Sequence, residues 1–415
     1  HVRHTSNKAM SFFNCTDTAV RNCNIYDTAA GGIIFNCDDT LRKTLTPDGN
    51  IIENNVIHDV TRLYYVYTPA VQVKGVGTEI LNNKLYNSPH SLAILGGNDI
   101  LFQHNEVYNA VTDGGDAAAV YWGRNPSNLG FKILDNYFHD IGNAYGSYGT
   151  AAVFWDDGSS GPFVSGYVFY RATNTSENGG TAPLNHALKT YGGQYAKITN
   201  NIFVDMPAAF NGQGWNGGTG SYWGADSESE WYLWVYNKRP QGNAGIWELI
   251  TKDVNFESET WKKHYENTQW SWLWDKVSSE RYAEIADKDP KTDKAELKKW
   301  AQKYMPDNPT NDFYKNVAVK ITNQTAAIAR ANESDTYRSG SDILSSGNSM
   351  FKNYGSDFAL TEEGLAEVKK TLPDFKNVDM SLMGCLGNAE GGKPTVSNIS
   401  YSKDFAGGCY TLAYD

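Results

Sequence analysis

Short apolar stretches alternate with turns of Asn, Asp and Gly along the first half of the chain. One phrase, in which β-branched and aromatic residues flank a central Asn, recurs as NIIENNVIHDV (50–60), EILNNKLYNSP (79–89), ILFQHNEVYNAV (100–111), KILDNYFHDIG (132–142) and KITNNIFVDMP (197–207). The second Asn of each phrase follows the previous one after 28, 22, 31 and then 65 residues, and Tyr167 marks the middle of the long interval. Repeat periods of this length are typical of a solenoid, in which each unit buries its apolar face against its neighbours.

The repeat unit consists of strands and turns. Each phrase is short, rich in strand-forming residues and bounded by turn residues, and it lacks the dense leucine pattern of leucine-rich repeats. We therefore predict an all-β fold, a right-handed parallel β-helix, with coils about 4.8 Å apart. The central residues Asn55, Asn83, Asn105, Asn136 and Asn201 are expected to form a ladder at one turn.

Each coil carries a second strand that ends near a glycine. These segments are SLAILGG (91–97), AAVYWGR (118–124), AAVFWDDG (151–158) and ALKTYGG (187–193). Alignment on the terminal glycine places Gly96, Gly123, Asp156 and Gly192 in one row. It places Gly97, Arg124, Asp157 and Gly193 in the next row, which predicts an ion pair between Arg124 and Asp157 of adjacent coils.

The repeat pattern divides the chain into four parts. Residues 1–211 are predicted to be β-helix coils, and 212–312 a Trp-rich, partly helical insertion that contains ten of the twelve Trp residues. Residues 313–357 are predicted to return to the β-helix. Residues 358–415 are predicted to form a short amphipathic helix, with Thr361 as its N-cap, and a Gly-rich tail.

Charge and composition restrict the partners. A net charge of −11 argues against a nucleic-acid partner, and no apolar run approaches the roughly 18 residues of a membrane helix. Five Asn-X-Ser/Thr sequons and a pair of cysteines, Cys385 and Cys409, that could bridge lean towards a secreted or periplasmic protein. The sequence leaves the oligomeric state open.

Acidic residues gather at the ends of the second strands. Asp113, Asp116, Asp156 and Asp157 are candidates for the two carboxyl groups that glycoside hydrolysis needs. A turn-forming role is the alternative for Asp156, and a purely structural ion pair is the alternative for Asp157. Asp116 precedes its strand whereas Asp157 follows the next one, so straight strands would hold them more than about 20 Å apart unless the chain folds back.

Basic and aromatic residues along the same strands are candidates for binding substrate. His90 and His186 align within a residue of Asp116 at the strand starts, and Lys189 lies in the fourth segment. Trp122 and Trp155 occupy equivalent positions in adjacent coils, where they either stack on sugar rings or point into the core.

The segments DGGDAAAVYWGR (113–124) and DNYFHDIG to AAVFWDDGSSG (135–161) carry a resemblance. They resemble the pectate-lyase-like right-handed β-helix carbohydrate enzymes, most closely glycoside hydrolase family 141, over residues 50–210. That family includes α-L-fucosidases and xylanases, so the resemblance implies cleavage of a plant-type or algal polysaccharide, with Asp116 and Asp157 as the catalytic pair. The chain departs from the family pattern at Ala118, Asn125 and Trp155.

Three functions follow as hypotheses. In the first, a glycosidase without a cofactor, Asp157 beside Arg124 is the nucleophile or base, and Asp116 or Asp156 is the second acid. In the second, a polysaccharide lyase or uronate epimerase, Arg124 acts with Lys189 or His186, and Asp156 and Asp157 bind calcium. The third is a glycan-binding solenoid without catalysis.

Overall fold

The structure is a computed structural model. It describes residues 1–142, 149–173, 185–213, 233–238, 246–304, 311–321, 328–329, 332–339, 360–386, 400–402 and 411–413. Cys409, one member of the suggested cysteine pair, lies outside these residues.

Three parallel sheets form the solenoid, and the chain visits them in the order sheet 1, sheet 2, sheet 3 in every coil. Sheet 1 consists of Val2–Arg3, Asn24–Tyr26, Val56–His58, Lys84–Ser88, Glu106–Ala110, Tyr137–His139, Val168–Tyr170, Ile202–Met206, Val317–Ile321 and Tyr337–Ser339. Sheet 2 consists of Met10–Phe13, Ile33–Asn36, Val71–Val76, Ala93–Asn98, Ala117–Gly123, Thr150–Asp156, Leu188–Tyr191, Phe210–Gln213 and Ile328–Ala329. Sheet 3 consists of Ala19–Arg21, Ile51–Glu53, Glu79–Leu81, Leu101–Gln103, Lys132–Leu134, Phe163–Ser165, Lys197–Thr199, Asp312–Tyr314 and Asn332–Ser334. The predicted all-β parallel β-helix is confirmed.

The predicted asparagine ladder runs between sheet 3 and sheet 1. The carboxamide of Asn55 donates to Asn83, Asn83 to Asn105, and Asn105 to Asn136, over 3.0, 3.0 and 2.9 Å. Tyr167 takes one place in the ladder, since its hydroxyl accepts from Asn136 over 2.7 Å. These side chains are fully buried, so each hydrogen bond replaces water that cannot reach the turn.

Short helices lie in the sequence between the strands Phe210–Gln213 and Asp312–Tyr314. They are Leu249–Asp253 (a π-helix), Glu259–His264, Gln269–Ser271 (a 3₁₀-helix), Trp272–Lys276, Ser279–Ala283 and Lys294–Lys303. Two indole N–H groups attach them to the solenoid: Trp261 donates to the carbonyl of Arg42 over 2.7 Å, and Trp270 to that of Gly161 over 2.9 Å. The tryptophans thus form a second apolar core at the turn between sheets 2 and 3, where the helix Thr40–Thr44 also lies.

A C-terminal helix, Glu362–Thr371, covers part of the outer face of sheet 1. The hydroxyl of Thr361 accepts a hydrogen bond from the backbone N–H of Gly364, which confirms the predicted N-cap. Val368 and Leu372 pack against outward-facing residues of sheet 1 such as Val204 and Val319. A separate antiparallel pair joins Ser400–Ser402 to Thr411–Ala413. In the described part of the chain, no helix is long and apolar enough to cross a membrane.

Candidate functional site

The register of sheet 2 determines which side chains meet on its outer face. Gly123 pairs with Asp156, as predicted, and Tyr121 pairs with Phe154. In the next coil Phe154 pairs with Lys189 and Trp155 with Thr190, so Tyr191 lies beside Asp156 and Gly192 beside Asp157. The predicted rows were therefore wrong by one residue at this coil, because Tyr191 precedes the glycine pair. The observed register places Lys189 beside Phe154 on the outer face.

Trp122 and Trp155 point into the solenoid. Their exposed fractions are 1% and 0%, and their rings stack on each other at 6.3 Å between centroids. Trp155 also stacks on Phe210 at 5.6 Å. Both indoles are core residues, so the alternative in which they stack on sugar rings is wrong. Successive residues of a strand point to opposite sides, and the preceding residues Tyr121 and Phe154 face outward.

Asp156 is held by two hydrogen bonds at the end of its strand. The hydroxyl of Tyr121 donates to Oδ2 over 3.0 Å, and the backbone N–H of Asp157 donates to Oδ1 over 2.7 Å. Burial, followed by the negative charges of Asp157 and Asp116, raises the pKa of Asp156 to about 7. This carboxyl group can therefore carry a proton at near-neutral pH, which an acid in an ordinary turn would not do.

Asp157 forms the predicted ion pair with Arg124. The two groups approach to 2.7 Å, with the Asp157 side chain 18% exposed and that of Arg124 79% exposed. Arg124 has a φ angle of 61° and Asp157 one of 43°. In the adjacent coils, Gly97 and Gly192 occupy the same position. This backbone conformation recurs at the turns of the solenoid, for example at Arg171 and Asp205, and here two charged residues adopt it.

Asp116 contacts Lys189 across two coils. Its Oδ1 lies 3.6 Å from Nζ of Lys189, whose ammonium also lies 4.5 Å from the ring centre of Phe154. The charge of Asp116 contributes to raising the pKa of Asp156, so the acids at the two ends of the strands act on one another. Asp116 is not isolated from the strand ends, because Lys189 contacts Asp116 and also interacts electrostatically with Asp156. Burial lowers the pKa of Lys189, against the effect of both acids.

The floor between these groups is apolar and tightly packed. Ala118 and Ala151 lie side by side on the outer face, and with Phe154 they are almost completely buried. The strand that carries Ala151 and Phe154 has a bulge, since the N–H groups of Ala152 and Val153 both donate to the carbonyl of Ala187, over 2.8 and 3.1 Å. Bulges of this kind re-aim side chains beside functional sites.

The two predicted histidines are both buried. His90 is 9% exposed, its Nδ1 has no hydrogen-bond partner among the described residues, and burial lowers its pKa. Asp116 acts on His90 in the opposite direction, which places His90 at the edge of the site. His186 is 1% exposed and lies just before the strand that carries Lys189.

Tyr67 belongs to the site but was not predicted from the sequence. Its ring lies 5.0 Å from that of His90 and 6.4 Å from that of Tyr121. Burial and the charges of Asp156 and Asp116 raise its pKa. The available signal was the run LYYVY (63–67), an aromatic segment outside the repeat.

The described residues provide no ready-made metal centre. Among them, no group of three or more His, Cys, Asp or Glu side chains is placed to hold a metal ion. Calcium binding by Asp156 and Asp157 stays a prediction.

No protein-family model matches the chain, and neither a curated protein nor a solved structure does. The parallel β-helix is thus established by the three sheets alone, and a fold of this kind does not determine a function.

Proposed function

We propose that the protein is a glycoside hydrolase that cleaves a plant-type or algal polysaccharide or oligosaccharide on the outer face of sheet 2. The raised pKa of Asp156, between Tyr121 and two further acids, is the observation that carries this proposal. Glycosidases place a protonated carboxyl group and an ionised one beside the same glycosidic bond.

Each acid has a distinct role in this proposal. Asp156 donates its proton to the leaving oxygen, because its side chain accepts a hydrogen bond from a phenol whereas Asp157 is paired directly with Arg124. Asp157, fixed by Arg124, attacks the anomeric carbon or activates a water molecule. Asp116 and Lys189 bind sugar hydroxyls, and the charge of Asp116 keeps Asp156 protonated.

The test combines a substrate panel with three variants. The protein is incubated with plant and algal polysaccharides, and products are analysed by mass and near-ultraviolet absorbance. We expect products heavier by one water without absorbance, and a rate loss of about 10²–10⁴ in Asp156→Asn and in Asp157→Asn. Asp116→Asn should retain more activity and move the alkaline limb of the pH–rate profile to lower pH, because a charge that raises the pKa of Asp156 is lost. Retained activity in both Asp156→Asn and Asp157→Asn would refute the assignment.

The chain offers a matched control for these variants. Arg171 and Asp205 form an ion pair of 2.8 Å at the ends of sheet 1 strands, and both have positive φ angles. Asp205→Asn and Arg171→Met therefore remove the same chemical groups from the same backbone conformation, away from sheet 2. They should leave turnover unchanged, whereas Arg124→Met should reduce it.

Lys189 favours a second candidate, a polysaccharide lyase or uronate epimerase. An ammonium whose pKa is lowered by burial is closer to acting as a base, and the largely exposed Arg124 could bind a substrate carboxylate. Unsaturated products that absorb in the near ultraviolet, together with complete loss of activity in Lys189→Met, would favour this candidate. Glycan binding without any product would favour a non-catalytic solenoid.

A further inference from the structure

An exposed aromatic segment lies beside the candidate site. Tyr64, Tyr65 and Tyr67 have exposed fractions of 60%, 57% and 62%, and Leu63 and Val66 between them are equally exposed. Five consecutive large apolar residues at the surface are unusual in a folded protein and commonly mark a binding surface.

The backbone holds this segment in one conformation. The N–H groups of Leu63 and Tyr64 both donate to the carbonyl of Ala29 in the preceding coil, over 3.0 and 3.1 Å. The hydroxyl of Thr68 donates to the carbonyl of Tyr64 over 2.6 Å, and Tyr67 has a φ of 55°. The tyrosine rings are thus presented on a preorganised turn, which reduces the entropy lost on binding a ligand.

Tyr65 lines a groove with a volume of about 570 Å³. Its other walls include Asn87 and Asn109, which extend a hydrogen-bonded chain: Asn109 donates to Asn87 over 2.7 Å, and Asn87 donates to Asp59 over 3.2 Å. One aromatic ring among amide and carboxylate groups is a suitable surface for a sugar, which offers a C–H face and a ring of hydroxyls.

The groove adjoins the candidate site along the chain. Pro89 and Asp113 line the groove, while His90 and Asp116, one and three residues further on, border the site. Tyr67 lies at the junction, since it contacts His90 and Tyr121 whereas Tyr65 faces the groove. The groove and the site thus lie on either side of Tyr67, and a ligand that extends past Tyr67 would contact both.

We propose that the groove binds a neutral sugar unit beyond the two that flank the bond cleaved at Asp156 and Asp157, so that the preferred substrate is a chain of at least three units. The inference rests on the proposed function. Asp27, Asp59 and Asp113 line the groove with Arg62 as a cation, and Arg62 lies 3.4 Å from Asp27. This excess of carboxylates accepts hydrogen bonds from hydroxyls and repels a uronate.

The experiment measures binding separately from turnover. A glycan array with neutral, acidic and amino-sugar oligosaccharides of one to six units is probed with Asp156→Asn, alone and combined with Tyr65→Ala. We expect neutral oligosaccharides of three or more units to bind, and Tyr65→Ala to weaken them about tenfold without affecting mono- and disaccharides. Tyr64→Ala is the matched control, because Tyr64 is equally exposed and does not line the groove among the described residues.

The outcomes separate the two proposals. Length-dependent binding that needs Tyr65, without hydrolysis by the unmodified protein, supports the groove and refutes the glycosidase. Hydrolysis with equal binding by Tyr65→Ala at every length refutes the groove and leaves the glycosidase standing. Binding of acidic glycans only, or of no glycan on the array, also overturns the inference.

Discussion

The hydroxyl of Tyr121 donates a hydrogen bond of 3.0 Å to Oδ2 of Asp156, which lies in the next coil of the same sheet. Gly123 pairs with Asp156 and has no side chain to obstruct this approach. A Cβ atom built on Gly123 would lie 2.8 Å from the Tyr121 hydroxyl and 3.4 Å from Cβ of Asp156. The hydrogen bond thus depends on a glycine between its partners.

Replacing Tyr121 by phenylalanine should move the alkaline limb of activity to higher pH. The hydrogen bond from Tyr121 lowers the pKa of Asp156, against the larger effects of burial and of Asp157 and Asp116. Without it, Asp156 keeps its proton to a higher pH. The measurement is kcat/KM as a function of pH, with Tyr26→Phe as control because the Tyr26 hydroxyl accepts a hydrogen bond from Arg3 at a distant edge. An unchanged alkaline limb in Tyr121→Phe would show that Asp156 is not the titrating acid.

Gly123→Ala should shift the pH–rate profile in the same direction. The added methyl group cannot coexist with the present position of the Tyr121 hydroxyl, so the hydrogen bond should lengthen or break. The double variant Gly123→Ala/Tyr121→Phe should show no further shift, since both changes act through one hydrogen bond. Gly96→Ala, one coil earlier in the same row, is the control, because its Cβ would meet nothing closer than 3.5 Å. An equal shift of the pH–rate profile in Gly96→Ala would show that a methyl group disturbs sheet 2 in general, and that the loss of the Tyr121 hydrogen bond is not the cause.

Asp156→Asn should stabilise the protein at high pH. The pKa of Asp156 is raised in the folded state, from 3.8 to about 7, so folding favours the protonated form. The contribution of Asp156 is most favourable below about pH 4 and is lost as the pH rises towards 7, at up to about 1.4 kcal/mol per pH unit. Because Asn does not titrate, the unfolding free energy of Asp156→Asn minus that of the unmodified protein should increase between pH 4 and pH 7. Denaturant unfolding from pH 4 to 8 measures the difference, and a constant difference would contradict the raised pKa.

The parts of the site that could be predicted from the sequence are those in which the partners occupy equivalent positions in adjacent coils. Arg124 and Asp157 follow equivalent strand ends in adjacent coils, so aligning the repeats was enough to pair them. The asparagine ladder was predictable for the same reason. The row position of Gly192 was wrong, because Tyr191 occupies the place beside Asp156 and the register is shifted by one residue.

Other features depend on contacts that no repeat pattern records. Asp116 is connected to the site by its contact with the long side chain of Lys189, two coils away. Counting residues along straight strands does not predict this contact. Tyr67 comes from a turn outside the repeat. The direction in which Trp122 and Trp155 point was left open, since it depends on which side of the strand is filled by Phe210 and the other core residues.

Asn105→Ala should destabilise the solenoid strongly without altering the site directly. The Asn105 Oδ1 atom accepts hydrogen bonds from the backbone and side chain of Asn83, over 2.9 and 3.0 Å, and its Nδ2 donates to Asn136. Alanine removes the side-chain hydrogen bonds to the buried backbone N–H of Asn83 and carbonyl of Ile80 in the preceding coil, at about 1–3 kcal/mol each, whereas Oδ1 of Asn136 keeps the backbone N–H of Asn105. We expect the unfolding free energy to fall by about 3 kcal/mol or more in denaturant titrations. Asn54→Gly is the control, since both hydrogen bonds of the Asn54 side chain, to Asn22 and from the N–H of Leu386, are exposed to solvent, and it should cost less than about 1 kcal/mol. Equal losses in the two variants would mean that the ladder contributes no more than an ordinary surface turn.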